Sequence, residues 1–181
     1  MFQIPIRPDV QLRLMEQRHA AEAFSVVDRN RAYLREWLPW VDRTTSTEDT
    51  SRFIQSALEQ YARNDGFHAG IWLQERFSGV IGCHKIDWNN RRVELGYWLA
   101  QTWQGRGIMT ECCRAVVDYA FREWELNRVQ IRCATDNVRS CAIPRRLGFT
   151  LEGVLRQAER AGHGYRDLNV FGLLAREWPH A

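Results

Sequence analysis

The feature that most constrains the fold is a glycine-containing loop between two periodic apolar segments, within residues 91–123. Along Val93–Leu99 every second residue is large and apolar, which predicts a strand. Gly105 and Gly107 interrupt this pattern, and apolar residues then recur at helical spacing along Ile108–Ala120. The segment is therefore predicted to be a strand, a turn and a helix.

A loop of this kind leaves the first backbone N–H groups of the helix without intrahelical partners. Glycines let the backbone approach a ligand closely, and the helix dipole favours negative charge. The pattern predicts a phosphate or pyrophosphate site, although a turn that only caps a buried helix has the same spacing. A Walker loop is excluded because no Lys follows Gly107, and Thr110 stands where a Rossmann turn has its third glycine.

The residues at 104–111, Gln-Gly-Arg-Gly-Ile-Met-Thr-Glu, follow Gly-Tyr-Trp-Leu at 96–99. Together they resemble the acetyl-CoA loop of the GNAT N-acetyltransferases, and most of all its Rim branch, which acetylates protein N-termini, including those of ribosomal proteins. The family signature Gln/Arg-x-x-Gly-x-Gly/Ala falls on residues 102–107, where Thr102 departs from the first position. Rim-like stretches also occur at residues 126–129, 136–140 and 147–153, so the resemblance covers most of the chain.

The remaining periodicities predict an α/β domain built on a mixed sheet of about seven strands. The resemblance implies one GNAT domain over residues 1–181, with a mostly antiparallel sheet, flanking helices and a splayed central parallel pair. Strands are predicted at 10–15, 67–73, 77–87, 91–100, 128–134, 149–158 and 165–174. Helices are predicted at 17–30, 31–37, about 47–63, after the glycine loop, and about 138–147.

Composition bounds the class of protein. Apolar residues make up 45% of the chain and charged residues 26%, as in soluble globular proteins. A net charge of +3 is too small to predict a nucleic-acid partner and is compatible with an anionic cofactor. No apolar run reaches the roughly 18 residues of a membrane span, and no signal peptide is apparent, so a cytoplasmic protein is expected. The five Cys are expected to be buried thiols in a reducing compartment, and no metal-ligand spacing occurs.

The resemblance implies acetyl-CoA as cosubstrate and assigns its contacts. The pantetheine and thioester would lie along Tyr97, Trp98 and Leu99, and the Asn137 amide would contact the cofactor arm. The pyrophosphate would be bound by the loop and first helical turn, Gln104, Gly105, Arg106, Gly107, Ile108, Met109 and Thr110.

Acetyl transfer needs a neutral amine, so a carboxylate is expected to take its proton directly or through water. Glu159 matches the position of the general base in the Rim branch, whereas other GNAT branches take a base from the strand that carries Glu94. Either glutamate can instead be a solvated strand residue; Glu159 is favoured and the choice stays open. Ser140 matches the serine proposed to protonate the departing thiolate, and it equally fits the first turn of a helix.

Three further residues are candidates for acceptor binding. Trp37 and Trp40 lie in a Trp-rich segment broken by Pro39, which either shapes the acceptor pocket or staples two helices together. His84 lies on a strand leading toward the expected site and is either structural or substrate-lining.

The resemblance implies an N-acetyltransferase that works by direct attack, with the N-terminal α-amino group of a protein, such as a ribosomal protein, as acceptor. One alternative is an acetyltransferase for a small amine: a polyamine, an amino acid or an aminoglycoside. Another is a CoA-binding protein without turnover. The resemblance is compatible with a homodimer, but the sequence indicates no interface.

Overall fold

The computed structural model describes residues 3–161 and 164–179, which contain eight strands and five α-helices. The strands are β1 Gln3–Arg7, β2 Val10–Leu14, β3 His68–Leu73, β4 Arg76–Cys83, β5 Arg92–Leu99, β6 Arg128–Ala134, β7 Thr150–Ala161 and β8 Gly164–Leu174. The helices are α1 Ala20–Arg29, α2 Arg31–Leu34, α3 Thr47–Ala62, α4 Ile108–Arg122 and α5 Val138–Arg146. The predicted mixed α/β architecture is confirmed, with one parallel strand pair, β5 with β6.

The chain divides into two compact units. The N-terminal unit comprises the chain up to Gly82 together with Tyr97–Met109. The C-terminal unit comprises Cys83–Gly96 together with the chain from Thr110 onward. The boundary between the units crosses β5 after Gly96 and α4 after Met109. The glycine loop lies between these two points and therefore belongs to the N-terminal unit.

In the N-terminal unit, β1, β2, β3 and β4 pair in that order as antiparallel neighbours. Helices α1 and α3 turn their apolar residues toward a common cluster. Its members include Ala23 and Val26 of α1, Ile54 of α3, and Trp72 and Phe77 of the strands. Burial of this apolar surface is the main stabilising contribution in the unit.

Helix α3 begins where its sequence offers a cap. The Ser46 hydroxyl accepts a hydrogen bond from the Asp49 backbone N–H, and the Asp49 carboxylate accepts from the Ser46 N–H. This reciprocal arrangement satisfies N–H groups that the first turn leaves unpaired. The predicted helix start near residues 45–48 is therefore confirmed.

In the C-terminal unit, β6 pairs antiparallel with β8, and β8 pairs antiparallel with β7. The β5–β6 pair runs parallel from Arg92 opposite Arg128 to Leu95 opposite Ile131. Val129, Ile131 and Cys133 are buried, as their alternation predicted. The splay of this pair stays an expectation from the resemblance.

Several boundaries differ from the predictions. Strand β1 was missed because Pro5 argues against a strand, yet β1 ends the strand order, where a proline is tolerated. The strand predicted to reach residue 87 ends at Cys83, and beyond it the backbone contacts β5 through the His84 N–H and through an isolated bridge between Asp87 and Arg92. Strand β7 extends three residues beyond its predicted end at 158, to Ala161.

Candidate active site

The glycine loop has the backbone conformation that its sequence indicated. Gly105 and Gly107 have φ angles of 75° and 77°, a region that side-chain-bearing residues rarely adopt. A Cβ atom at Gly105 would meet no atom within 4 Å, so open space lies beside the loop backbone. Helix α4 begins directly afterward at Ile108. Backbone N–H groups at this helix start suit an anionic group such as a pyrophosphate.

Contacts within the N-terminal unit hold the loop in place. The Gln104 side chain donates to the Leu99 carbonyl oxygen at 3.1 Å, which ties the loop to the end of β5. Arg106 stacks over the Trp103 ring, with 4.8 Å from its guanidinium carbon to the ring centroid, and donates to the Thr102 carbonyl oxygen. Thr102 takes part in the contact with Arg106 through its backbone carbonyl oxygen. The contact therefore does not depend on which side chain stands at position 102, where the sequence differs from the family signature.

The end of β5 is fixed by β4. The Ala100 N–H donates to the Ser78 carbonyl oxygen at 2.8 Å. At Gly79 a Cβ atom would lie 2.3 Å from the Trp98 carbonyl oxygen, so the two backbones approach as closely as only glycine permits. The segment assigned to the thioester, Tyr97 to Leu99, is thus rigidly supported by backbone contacts.

The Trp-rich segment that contains Trp37 and Trp40 contacts β5 through the ring of Trp40. The Trp40 ring centroid lies 6.1 Å from that of Trp98, and both rings pack against the buried cluster of Val27, Leu34 and Val41. Trp37 continues the turn after α2, its N–H donating to the Leu34 carbonyl oxygen. The structure therefore brings Trp40 to Trp98.

Both candidate bases belong to the C-terminal unit, Glu94 on β5 and Glu159 on β7. Glu94 is firmly held there: its Oε1 accepts from Arg132 Nε at 2.8 Å, and its Oε2 accepts from Gln130 Nε2 at 3.2 Å. Both carboxylate oxygens are therefore engaged by neighbouring strand residues. This arrangement fits a structural ion pair.

Glu159 has a different environment. It lies opposite Arg166 in the β7–β8 register, with 3.7 Å between Glu159 Oε2 and Arg166 Nε. Burial raises the pKa of the Glu159 carboxyl above its ordinary value, while the positive charges of Arg166 and Arg132 act in the opposite direction. A carboxylate with a raised pKa is a stronger base than an ordinary one.

Asn137 and Ser140 meet at the start of α5, as predicted. The Asn137 side-chain oxygen accepts from the Ser140 N–H at 3.0 Å, which caps the helix and fixes the orientation of the amide. The Ser140 side chain also hydrogen-bonds to Cys133. Ser140 is thus in the first helical turn, and a role as proton donor stays a prediction.

The cysteines behave as buried thiols. All five are buried and none forms a disulfide. The Cys133 and Cys141 sulfur atoms lie 3.0 Å apart, and burial raises the pKa of Cys133. Because burial disfavours the nucleophilic thiolate, an acyl-cysteine intermediate is disfavoured and direct attack by the amine is the simpler route.

His84 is exposed at the end of β4, and its N–H donates to the Glu94 carbonyl oxygen at 2.9 Å. Its imidazole covers Gly96: a Cβ atom there would lie 2.9 Å from His84 Nε2. Arg132, Gln130 and Arg166 surround the two glutamates and were missed from the sequence. Gln130 and Arg132 are two residues apart on β6, and this spacing indicates that they lie on the same side of the strand. It does not indicate that they contact a glutamate on another strand.

Residues 3–161 and 164–179 are the part of the chain that the structure describes. In that part of the chain, no cluster of three or more His, Cys, Asp and Glu side chains has a geometry that could bind a metal ion. Among the same residues, no helix has the length and apolar character needed to cross a membrane.

Comparisons with known proteins identify the family. Residues 9–150 match the family model described as an acetyltransferase (GNAT) domain. The protein YdaF of Bacillus subtilis is 37% identical over 180 residues, covering 98% of each chain. The ribosomal-protein-serine acetyltransferase of Escherichia coli is 30% identical over 171 residues, covering 94% of this chain and 96% of that protein. A solved structure of RimL, a ribosomal α-N-protein acetyltransferase, in complex with coenzyme A matches with a TM-score of 0.94 and 31% identity, covering 97% of this chain and 99% of the other.

The chain therefore belongs to the GNAT acetyltransferase family. It is an acyltransferase that uses acetyl-CoA to acetylate an amine, and its relatives include acetyltransferases of ribosomal proteins.

Proposed function

We propose that this enzyme acetylates the N-terminal α-amino group of a ribosomal protein, with a Ser-initiated N-terminus as the first candidate. The similarity to the ribosomal-protein-serine acetyltransferase extends over 94% of the chain, so it includes the segments on both sides of the glycine loop. A ribosomal acceptor is made in the cytoplasm, and we place the reaction there. We further propose that residues 1–181 form one catalytic domain.

Glu159 is proposed as the general base. The observation that carries this assignment is the contrast between the two glutamates: Glu94 has both oxygens engaged at hydrogen-bonding distance, whereas Glu159 Oε2 forms a longer ion pair with Arg166 Nε, at 3.7 Å. An α-amino group has a pKa of about 7.7–8.0, against about 10.4 for a lysine side chain. A carboxylate can therefore deprotonate an N-terminus more readily, directly or through one water.

The remaining roles follow from the resemblance and from local geometry. Acetyl-CoA supplies the acetyl thioester. The residues from Gln104 to Thr110 would bind its pyrophosphate, and Tyr97, Trp98 and Leu99 its pantetheine and thioester. The capped orientation of Asn137 supports its proposed contact with the cofactor arm. Ser140 would donate its hydroxyl proton to the departing sulfur.

Three side chains would shape the acceptor site. The contact between Trp40 and Trp98 supports a role for Trp40 beside the thioester segment. Trp37, three residues earlier, would extend this aromatic surface. His84, exposed beside Glu94, would contact the acceptor backbone.

A homodimer formed through β7 is proposed as the assembly. β7 ends the strand order, and all residues from Thr150 to Gln157 are exposed, including Leu151, Val154 and Leu155 at 47%, 49% and 42%. Such an apolar edge strand favours pairing with another strand. An antiparallel pair of two β7 strands centred on Val154 would place the exposed Val154 of one copy opposite the same residue of the other. This self-complementarity favours a second copy as the occupant.

An acceptor panel tests the function. Turnover of acetyl-CoA would be followed by release of free thiol with Ser- and Ala-initiated peptides, spermidine, free amino acids and an aminoglycoside. We expect turnover on the peptides, with the acetyl group located on the α-amino nitrogen by mass spectrometry. N-terminally blocked peptides with the same sequence are the matched controls.

The panel also separates the alternatives. Turnover confined to a small amine would assign the enzyme to small-molecule acetylation and contradict the proposed acceptor. Tight binding of coenzyme A without turnover on any amine would favour a CoA-binding protein and contradict the proposed base.

A further inference from the structure

The pairing of β7 with β8 is irregular close to Glu159. Leu155 lies opposite Leu168, and the next pair is Glu159 opposite Arg166. Four steps along β7 thus correspond to two along β8, so β7 contains two extra residues at this point. Gln157, in the middle of the irregularity, has a φ angle of 50°. This is a β-bulge, a device that commonly redirects side chains beside functional sites.

The bulge is held by the side chain of Asp167. Its Oδ1 accepts a hydrogen bond from the Gln157 backbone N–H at 2.8 Å. The backbone of Asp167 is itself anchored, because its carbonyl oxygen accepts from the Thr135 N–H at 3.1 Å, directly after β6. The Asp167 side chain therefore replaces the ladder hydrogen bond that the bulged residue has lost.

The bulge decides which residue faces Arg166. With regular antiparallel pairing after Leu155 and Leu168, Gln157 would lie opposite Arg166, and Glu159 would lie two positions further along. The two extra residues bring Glu159 to Arg166 instead, where the charged groups that act on it are Arg166 on β8 and Arg132 on β6. Arg132 in turn binds Glu94 on β5.

We propose that Asp167 and Arg166 are positioning residues for Glu159: Asp167 secures the bulge that selects Glu159, and Arg166 orients its carboxylate. This inference rests on the proposed function, in which Glu159 is the base. A merely structural role would predict that changes at either position affect stability alone.

The first test compares Asp167→Ala with Asp167→Asn, which keeps a side-chain oxygen as acceptor. A misplacement of a catalytic group by about 1 Å can cost about a hundredfold in rate. We expect kcat on a Ser-initiated peptide to fall about tenfold to a hundredfold in Asp167→Ala, with the KM for acetyl-CoA within about twofold of the unchanged enzyme. Asp167→Asn should retain most of the activity.

Gln157→Gly is the matched control within the bulge. Glycine adopts the φ angle of 50° at no steric cost, and the backbone N–H bound by Asp167 is kept. This variant should keep the kcat of the unchanged enzyme. It also tests the bulge if Asp167→Ala fails to fold, since loss of kcat in a folded Gln157→Gly would contradict the proposed geometry.

The second test is the pH dependence of kcat/KM in Arg166→Gln and Arg166→Lys. The Arg166 charge favours the ionised form of Glu159, so its removal should move the acidic limb of the profile to higher pH. The lysine variant should move it back toward the original position. An acidic limb that stays in place in Arg166→Gln would overturn the role of Arg166, and full kcat in a folded Asp167→Ala would overturn the role of Asp167.

Glu159→Gln, measured beside these variants, distinguishes a failure of the proposed base from a failure of the proposed positioning residues. Full activity of Glu159→Gln would reject Glu159 as the base and the positioning proposal with it. Loss of activity in Glu159→Gln with normal Asp167→Ala and Arg166→Gln enzymes would reject the positioning proposal alone.

Discussion

Replacing Gly79 by alanine tests how the end of β5 is supported. The added Cβ would lie 2.3 Å from the Trp98 carbonyl oxygen and 3.0 Å from Leu99 Cα, where ordinary contact begins at 3.4 Å. Both neighbours are backbone atoms, so β5 must move by 3.4 − 2.3 = 1.1 Å to accept the methyl group. This shift acts on the segment assigned to the thioester.

The cost can be estimated from three contributions. Overpacking costs about 1–3 kcal/mol. The hydrogen bond from Ala100 N–H to the Ser78 carbonyl oxygen, now 2.8 Å, would be strained, and its net value is about 1 kcal/mol. The lower entropy of the unfolded alanine chain returns about 0.4–1 kcal/mol. The expected net loss in the free energy of unfolding is about 1–3.6 kcal/mol.

Urea denaturation measures this loss, and titration with coenzyme A measures the accompanying weakening of cofactor binding. Gly164→Ala is the matched control, because a Cβ atom there meets nothing within 4 Å and Gly164 lies outside β7. It should leave both quantities nearly unchanged. If Gly79→Ala proves as stable as Gly164→Ala, the close support of β5 by β4 is not as described.

Three further predictions concern other parts of the molecule. Ser46→Ala removes the acceptor that caps α3 and should lower the free energy of unfolding by about 1 kcal/mol; an unchanged urea midpoint would contradict the cap. Because the pKa of Glu159 is raised above 4.5 in the folded state, that state binds the proton more tightly, and its contribution to stability is lost as pH rises through the raised pKa. Glu159→Gln should therefore gain stability relative to the unchanged enzyme as the pH rises above about 4.3, the ordinary pKa of a glutamate, and a stability difference that stays constant with rising pH would refute the shift. Val154→Lys should shift the protein toward monomer in sedimentation analysis, while Val138→Lys, at an equally apolar residue that is 69% exposed on α5, should not; equal behaviour of the two would exclude β7 as the interface.

Features set by short-range chemistry were predictable from the sequence. The turn at Gly105 and Gly107, the helix start near residue 47 and the helix start near residue 138 each depend on residues within a few positions of one another. Alternation correctly indicated the buried side of β6, because a strand with one buried face must repeat every second residue.

Features that depend on distant pairing were not predictable. Strand β1 exists through its pairing with β2, which overrides the local signal of Pro5. The bulge that places Glu159 opposite Arg166 depends on Asp167, ten residues away on the neighbouring strand. The choice between Glu159 and Glu94 likewise required the contacts of Arg132 and Gln130, which no local pattern specifies.

The most direct test of the central claim compares acetylation of a Ser-initiated peptide by the unchanged enzyme, Glu159→Gln and Glu94→Gln. General-base catalysis contributes about 10²–10⁴-fold, so kcat should fall by that factor in Glu159→Gln. Glu94→Gln should lose far less, since glutamine can still accept from Arg132. Full activity of Glu159→Gln, or a larger loss in Glu94→Gln, would contradict the assignment of Glu159 as the base.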